Sequence, residues 1–98
     1  MEKEYIICSA IHYNDLKEHP NQPLKAGVVI CGRRHYDCFS TLYALTNGKY
    51  NKKMIYQGFM TNEGNFVSRL AGYDIAKNAN QIINDPHEFK MLYSEMLY

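Results

Sequence analysis

Gly27-Val28-Val29-Ile30-Cys31-Gly32-Arg33-Arg34-His35 is the stretch on which the fold turns. Three β-branched residues and a cysteine between two glycines read as a buried strand over 27–31. Gly32 ends it, and three cationic or titratable side chains follow at once. A helix is expected from about Tyr36 to Thr46. In it Cys38, Leu42 and Leu45 recur at i, i+4 and i+7, with Phe39 beside them. Asn47-Gly48 stops that helix, because both residues tolerate left-handed backbone.

Outward from this unit, Tyr5–Tyr13 carries Ile6, Ile7, Cys8, Ala10 and Ile11, the near-continuous apolar run of a central strand. Residues 14–24 form a polar loop whose prolines exclude a helix. After a basic loop at Lys49–Lys53, Met54–Thr61 reads as a third strand, with Gly58 as a bulge. Asn62-Glu63-Gly64-Asn65 is a turn, and Phe66-Val67 pairs back across it. Ser68 caps a second helix over about 69–79, with Leu70, Ile75 and Ala79 facing inward. Gly72 weakens that helix unless something packs closely against it. Gln81–Ile83 reads as a short strand, and Asp85-Pro86 opens a last helical turn. The tail, Leu92 to Tyr98, is apolar and aromatic. The expected architecture is α+β, a small β-sheet packed with two main helices, in a single domain over residues 1–98.

The 98 residues are 46% hydrophobic and 21% charged, which suits a folded chain with a small core. A net charge of +1 conceals an uneven distribution. Residues 1–24 and 54–98 each balance to −2, whereas residues 25–53 balance to +5 through Lys25, Arg33, Arg34, Lys49, Lys52 and Lys53. A local positive field of this kind draws anionic ligands. Cys8, Cys31 and Cys38 show no paired spacing, so free thiols and a reducing compartment are expected, with Cys8 and Cys31 as small core residues. The opening Met-Glu-Lys-Glu-Tyr predicts no signal peptide, and no apolar run reaches the roughly 20 residues of a membrane span. The expected location is cytoplasmic.

Chemistry concentrates at Gly32-Arg33-Arg34-His35. A strand-to-helix junction presents free N–H groups and the positive end of the helix dipole. Arginine adds a planar fork that meets two phosphate oxygens, and histidine donates, accepts or stacks. The structural alternative has the arginines paired with Asp37 or the tail. Phe59 and Asn62 flank a second candidate, where a ring could stack on a base and an amide read its edge, against the alternative that a strand carrying Phe and Met is core. Arg69, in a first helical turn, opposes the dipole and calls for an anionic partner. His12, His19, His35 and His87 lack short ligand spacing, so no metal and no cofactor are expected. His12 could meet His35 if their strands are neighbours, as a two-histidine phosphoesterase would require. Nine tyrosines, with Tyr93 and Tyr98 in the tail, point to a homo-oligomer, against an alternative of packing within the chain.

Four stretches carry a resemblance. Val28–His35 with Cys31-Gly32-Arg33-Arg34-His35, then Gln57-Gly58-Phe59-Met60-Thr61, then Phe66-Val67-Ser68-Arg69, and Leu92-Tyr93-Ser94-Glu95 together resemble a family of small phage-encoded proteins. This chain has Asn65 and Ala71-Gly72 where that pattern carries arginine and Glu-Ala. The resemblance implies a phage origin and action in the infected host cell. By analogy with small phage anti-defence proteins, it suggests sequestration of a cyclic-nucleotide or ADP-ribose-type immune signal. Arg33, Arg34, His35, Phe59, Asn62 and Arg69 are the expected ligand-binding residues, with no catalytic residue assigned. The expected partner is a phosphate-bearing small molecule rather than long nucleic acid or membrane. The competing expectations are a phosphodiester-cleaving enzyme and a protein-binding inhibitor of a host factor.

Overall fold

A computed structural model describes residues 3–85 and 90–98. Four strands, β1 (Ile6–Tyr13), β2 (Val28–Gly32), β3 (Ile55–Thr61) and β4 (Phe66–Ser68), form one antiparallel sheet in the order β2-β1-β3-β4. Helices α1 (His35–Thr46) and α2 (Arg69–Asn78) complete the α+β architecture. The apolar run of β1 is explained by its central place. β2, by contrast, is an edge strand, and its Cys31 is exposed rather than part of the core. Among the described residues, no helix is long and apolar enough to cross a membrane.

Side chains alternate across the sheet. Ser9 and Ile11 of β1, with Phe59 opposite Ser9, point toward the helices; Ala10, His12 and the paired Tyr56 point away. Two clusters fill the helix side. Ile11 and Ile30 meet Cys38 and Leu42 of α1, while Ile6 and Phe59 meet Tyr73 and Ala76 of α2 with Leu92 and Met96 of the tail. The tail's apolar residues therefore join the chain's own core.

Several expectations are corrected. Leu45 and Leu70 are exposed. The first cluster is closed by Tyr13 and Tyr50 instead of Leu45. In α2 the inward face is Gly72, Tyr73 and Ala76, and Leu70 lies two residues, about 200°, from Gly72. A Cβ at Gly72 would lie 3.3 Å from Leu92 and 3.4 Å from Phe59, so the glycine lets α2 settle onto them. Gly58 is no bulge, since the register of β3 is continuous through it; the irregularity lies between Ile6 and Cys8. Gly58 instead admits β4, for a Cβ there would stand 2.1 Å from the Val67 carbonyl oxygen.

Residues 81–83 form no strand. The Gln81 side chain does the pairing with β1: its Oε1 accepts from the Ile6 N–H and its Nε2 donates to the Ile6 carbonyl, both at 2.8 Å. The helical turn expected after Asp85 and the side chain of His87 lie outside the described residues.

Candidate functional site

Gly32 ends β2 close against α1, where a Cβ would meet Asp37 and Cys38 at 3.0–3.2 Å. The chain then turns through Arg33 and Arg34 into the helix. Arg34 is the extended N-cap of α1, and the Asp37 carboxylate accepts its N–H at 3.1 Å. His35 is the first helical residue. At the other helix, Ser68 caps α2 by accepting the Ala71 N–H at 3.1 Å, and Arg69 is the first helical residue. The starts of both helices therefore face one concavity of about 290 Å³, lined by Arg34, His35 and Tyr36 on one side and Arg69 on the other. Tyr93, Ser94 and Glu95, from the tail, complete its wall.

Each polar group is held in place. The Arg34 guanidinium donates to Ser94 Oγ at 2.9 Å and to the main-chain oxygen of Tyr98. Arg69 donates to Gln57 Oε1 and, at 3.4 Å, to the Leu92 carbonyl, and its guanidinium lies 4.8 Å from the Tyr93 ring centroid. His35 Nε2 donates to the Gly58 carbonyl at 2.7 Å, which leaves Nδ1 as the acceptor of the neutral ring. Its edge packs on Phe59, with centroids 5.1 Å apart. Burial holds the His35 imidazole below its ordinary value, opposed by the Gly58 bond and reinforced by the Arg69 charge. Burial likewise lowers Arg69, which stays cationic. Among the described residues, neither arginine has an Asp or Glu carboxylate within 4 Å. Glu95 shares the cavity and is felt electrostatically by both His35 and Arg69.

The expected residues sort clearly. Arg34, His35 and Arg69 come together. Phe59 lies beneath them, completely buried, so the rings open to a ligand are those of Tyr36 and Tyr93. Arg33 stays exposed beside the site, its guanidinium 5.6 Å from the Tyr98 ring centroid. Asn62 lies elsewhere: its side chain accepts the Tyr5 N–H at 2.7 Å and donates to the Lys3 carbonyl. His12 points away from the helices, stacks on Tyr56 and bonds the Ala26 carbonyl, so it does not meet His35. No group of three or more metal-ligating side chains occurs among the described residues.

Tyr36, Ser94 and Glu95 had no role at the sequence level. Leu92-Tyr93-Ser94-Glu95 did stand out there as a stretch, and it meets the other three: Arg34 and His35, Gln57 and Gly58, and Arg69 all touch it or one another across the cavity.

A family model described as "Phage T4 y16D protein" matches residues 5–98. The chain belongs to that family. The phage origin implied by the four stretches is thereby borne out, and the y16D match spans both helix starts and the tail that close the cavity. No curated protein and no solved structure gives a match.

Proposed function

We propose that the chain binds a phosphate-bearing small molecule, a nucleotide, in the cavity between the starts of α1 and α2, and that it acts as a phage anti-defence protein by holding a nucleotide immune signal intact. One observation carries the reading: two arginines and two helix N-termini face the same cavity, with no Asp or Glu side-chain carboxylate within 4 Å of either arginine among the described residues. Positive helix ends and guanidinium forks both favour an oxyanion. Arg34 and Arg69 would hold the phosphate, His35 Nδ1 would accept a ligand hydroxyl or take up a proton beside it, and Arg33 would add charge from the rim. Tyr36 and Tyr93 offer stacking faces. Glu95 partly offsets the positive charge and disfavours a highly charged ligand. A volume near 290 Å³ is at the low end for ligand sites and suits a phosphate with a sugar rather than a long strand.

Calorimetric titration with ADP, ADP-ribose and a cyclic mononucleotide tests the proposal, with recovery of the ligand after denaturation. Binding of at least one, returned unchanged, is expected. Arg69→Lys should weaken it about tenfold or more, because an ammonium cannot reproduce the fork. Failure of all three and of inorganic pyrophosphate to bind, or affinity indifferent to Arg69, would sink it; a ligand returned altered would make the chain an enzyme. Self-association is proposed through the helix-free face of the sheet, where Tyr56 is 54% exposed, since the tail is used internally. Light scattering showing a monomer for both wild type and Tyr56→Glu would remove that part.

A further inference from the structure

We propose that Cys8 and Cys31 form a reversible redox pair on the helix-free face of the sheet, closing to a disulfide by exchange with a low-molecular-weight disulfide of the oxidised-glutathione class. The register sets the pair. Cys31 of β2 stands opposite Ala10 of β1, and Cys8 lies two residues from Ala10 on the same strand. Alternation puts all three side chains on one face, with the two cysteines diagonal neighbours. Cys31 is exposed and Cys8 half-buried, so the first is open to attack a reagent and the second waits behind it. Cys38 is excluded. It is completely buried on the opposite side of the sheet, where its thiol donates to the Ser9 and Arg34 carbonyls.

The two thiols act on one another's titration across this face, and their chemistry is unequal. The interaction between the two thiols draws Cys31 down to about 7 and pushes Cys8 up. Cys31 is thus the nucleophile near neutral pH. Its thiolate attacks one sulfur of oxidised glutathione; the S–S bond breaks, one glutathione leaves as thiolate and takes a proton, and Cys31 carries the mixed disulfide. Cys8 then gives its proton to water and attacks the Cys31 sulfur, and the second glutathione leaves. The cysteines lose two electrons and two protons, and oxidised glutathione becomes two thiols. An exposed disulfide between adjacent strands is the labile, reducible kind. Cys31 stands two residues before Arg33, so the bond forms at the strand that leads into the helix start.

The test is equilibration of the folded chain in glutathione buffers of rising oxidised fraction, then alkylation in denaturant and peptide mass mapping. Cys8 and Cys31 should lose reactivity together, with a mass lower by two hydrogens. Cys38 should stay alkylatable throughout, and dithiothreitol should restore all three thiols. Cys8→Ser should stop at a glutathione adduct on Cys31, and Cys38→Ser should close the bond as wild type does. Three alkylatable thiols at the most oxidising ratio, a wild-type adduct that never resolves, or a disulfide that includes Cys38 would each overturn the proposal.

Discussion

The Arg34 guanidinium lies 5.0 Å from the centroid of the Tyr98 ring while it donates to Ser94 Oγ and to the main-chain oxygen of Tyr98 itself. The Tyr98 hydroxyl in turn donates to the Arg33 carbonyl. A residue poised beside the cavity therefore also fastens the tail, whose Leu92, Ser94 and Met96 are buried.

The two neighbouring arginines should consequently behave differently. Arg34→Ala removes a half-buried cation's hydrogen bonds and should cost roughly 1–3 kcal/mol of stability. Arg33→Ala removes an exposed cation with no hydrogen bond from its side chain among the described residues, and should change stability by less than about 0.5 kcal/mol. Urea unfolding of both variants checks this. Equal losses would mean that Arg34 does not hold the tail.

His35 makes stability depend on pH. Burial first, then the Arg69 charge, keeps the folded imidazole below its ordinary 6.5, against the pull of the Gly58 bond and Glu95. The unfolded chain therefore takes up the proton first as pH falls. The contribution is complete above the ordinary value and is lost as pH drops through it toward the folded one. Between about pH 7.5 and about pH 5.5, the melting temperature of wild type should fall more steeply than that of His35→Gln. Parallel curves would show that His35 titrates normally.

At Gly58 a single methyl should be felt. The added Cβ would sit 2.1 Å from the Val67 carbonyl oxygen and 2.8 Å from the Phe66 ring. Gly58→Ala must push β4 away from β3 and should cost on the order of 1–3 kcal/mol. Because α2 follows β4 directly, hydrogen exchange should quicken at Phe66–Ser68 and in the first turn of α2. Unchanged protection in both would contradict the close approach.

Gln81 substitutes for a strand, and its loss should loosen the start of β1. Gln81→Leu leaves the Ile6 N–H and carbonyl without the side-chain partners they now have. An unmet pair of this kind costs roughly 1–3 kcal/mol per group when shielded from water. Thermal melting of Gln81→Leu beside Gln81→Glu separates shape from pairing: the glutamate retains the acceptor for Ile6 N–H and should lose less. A neutral Gln81→Leu would mean that water replaces the amide without penalty.

Most element positions were legible because local patterns agreed with the tertiary result. The Ser68 cap and the Asn47-Gly48 stop are local chemistry, and both occur where expected; Asn47 has φ 53° and Gly48 φ 75°. The arginine–histidine turn was legible as the start of a helix for the same reason. Errors arose where a long-range neighbour decided. A short apolar run at Gln81–Ile83 looks like a strand, yet one amide of Gln81 provides the pairing. Phe59 offers a ring to a base on a strand that also reads as core, and α2 and the tail cover it. Cys31 looks like core, yet its strand is an edge.

Sequence by itself determined the alternation of the strands, the helix boundaries, the glycines on which close approaches depend, and the concentration of positive charge in the middle third. These follow from backbone sterics, side-chain periodicity and formal charge, which act over a few residues. Tertiary structure alone decided that Arg69 faces Arg34 and His35, that the tail walls their cavity, and that Cys8 and Cys31 are diagonal neighbours on one face of the sheet. Those relationships join residues 23 to 64 positions apart through hydrogen bonds such as Arg69 to Leu92 and Arg34 to Tyr98, or through strand register. The free energy of such contacts depends on which faces the sheet and helices bury together, and no local window of the chain contains it.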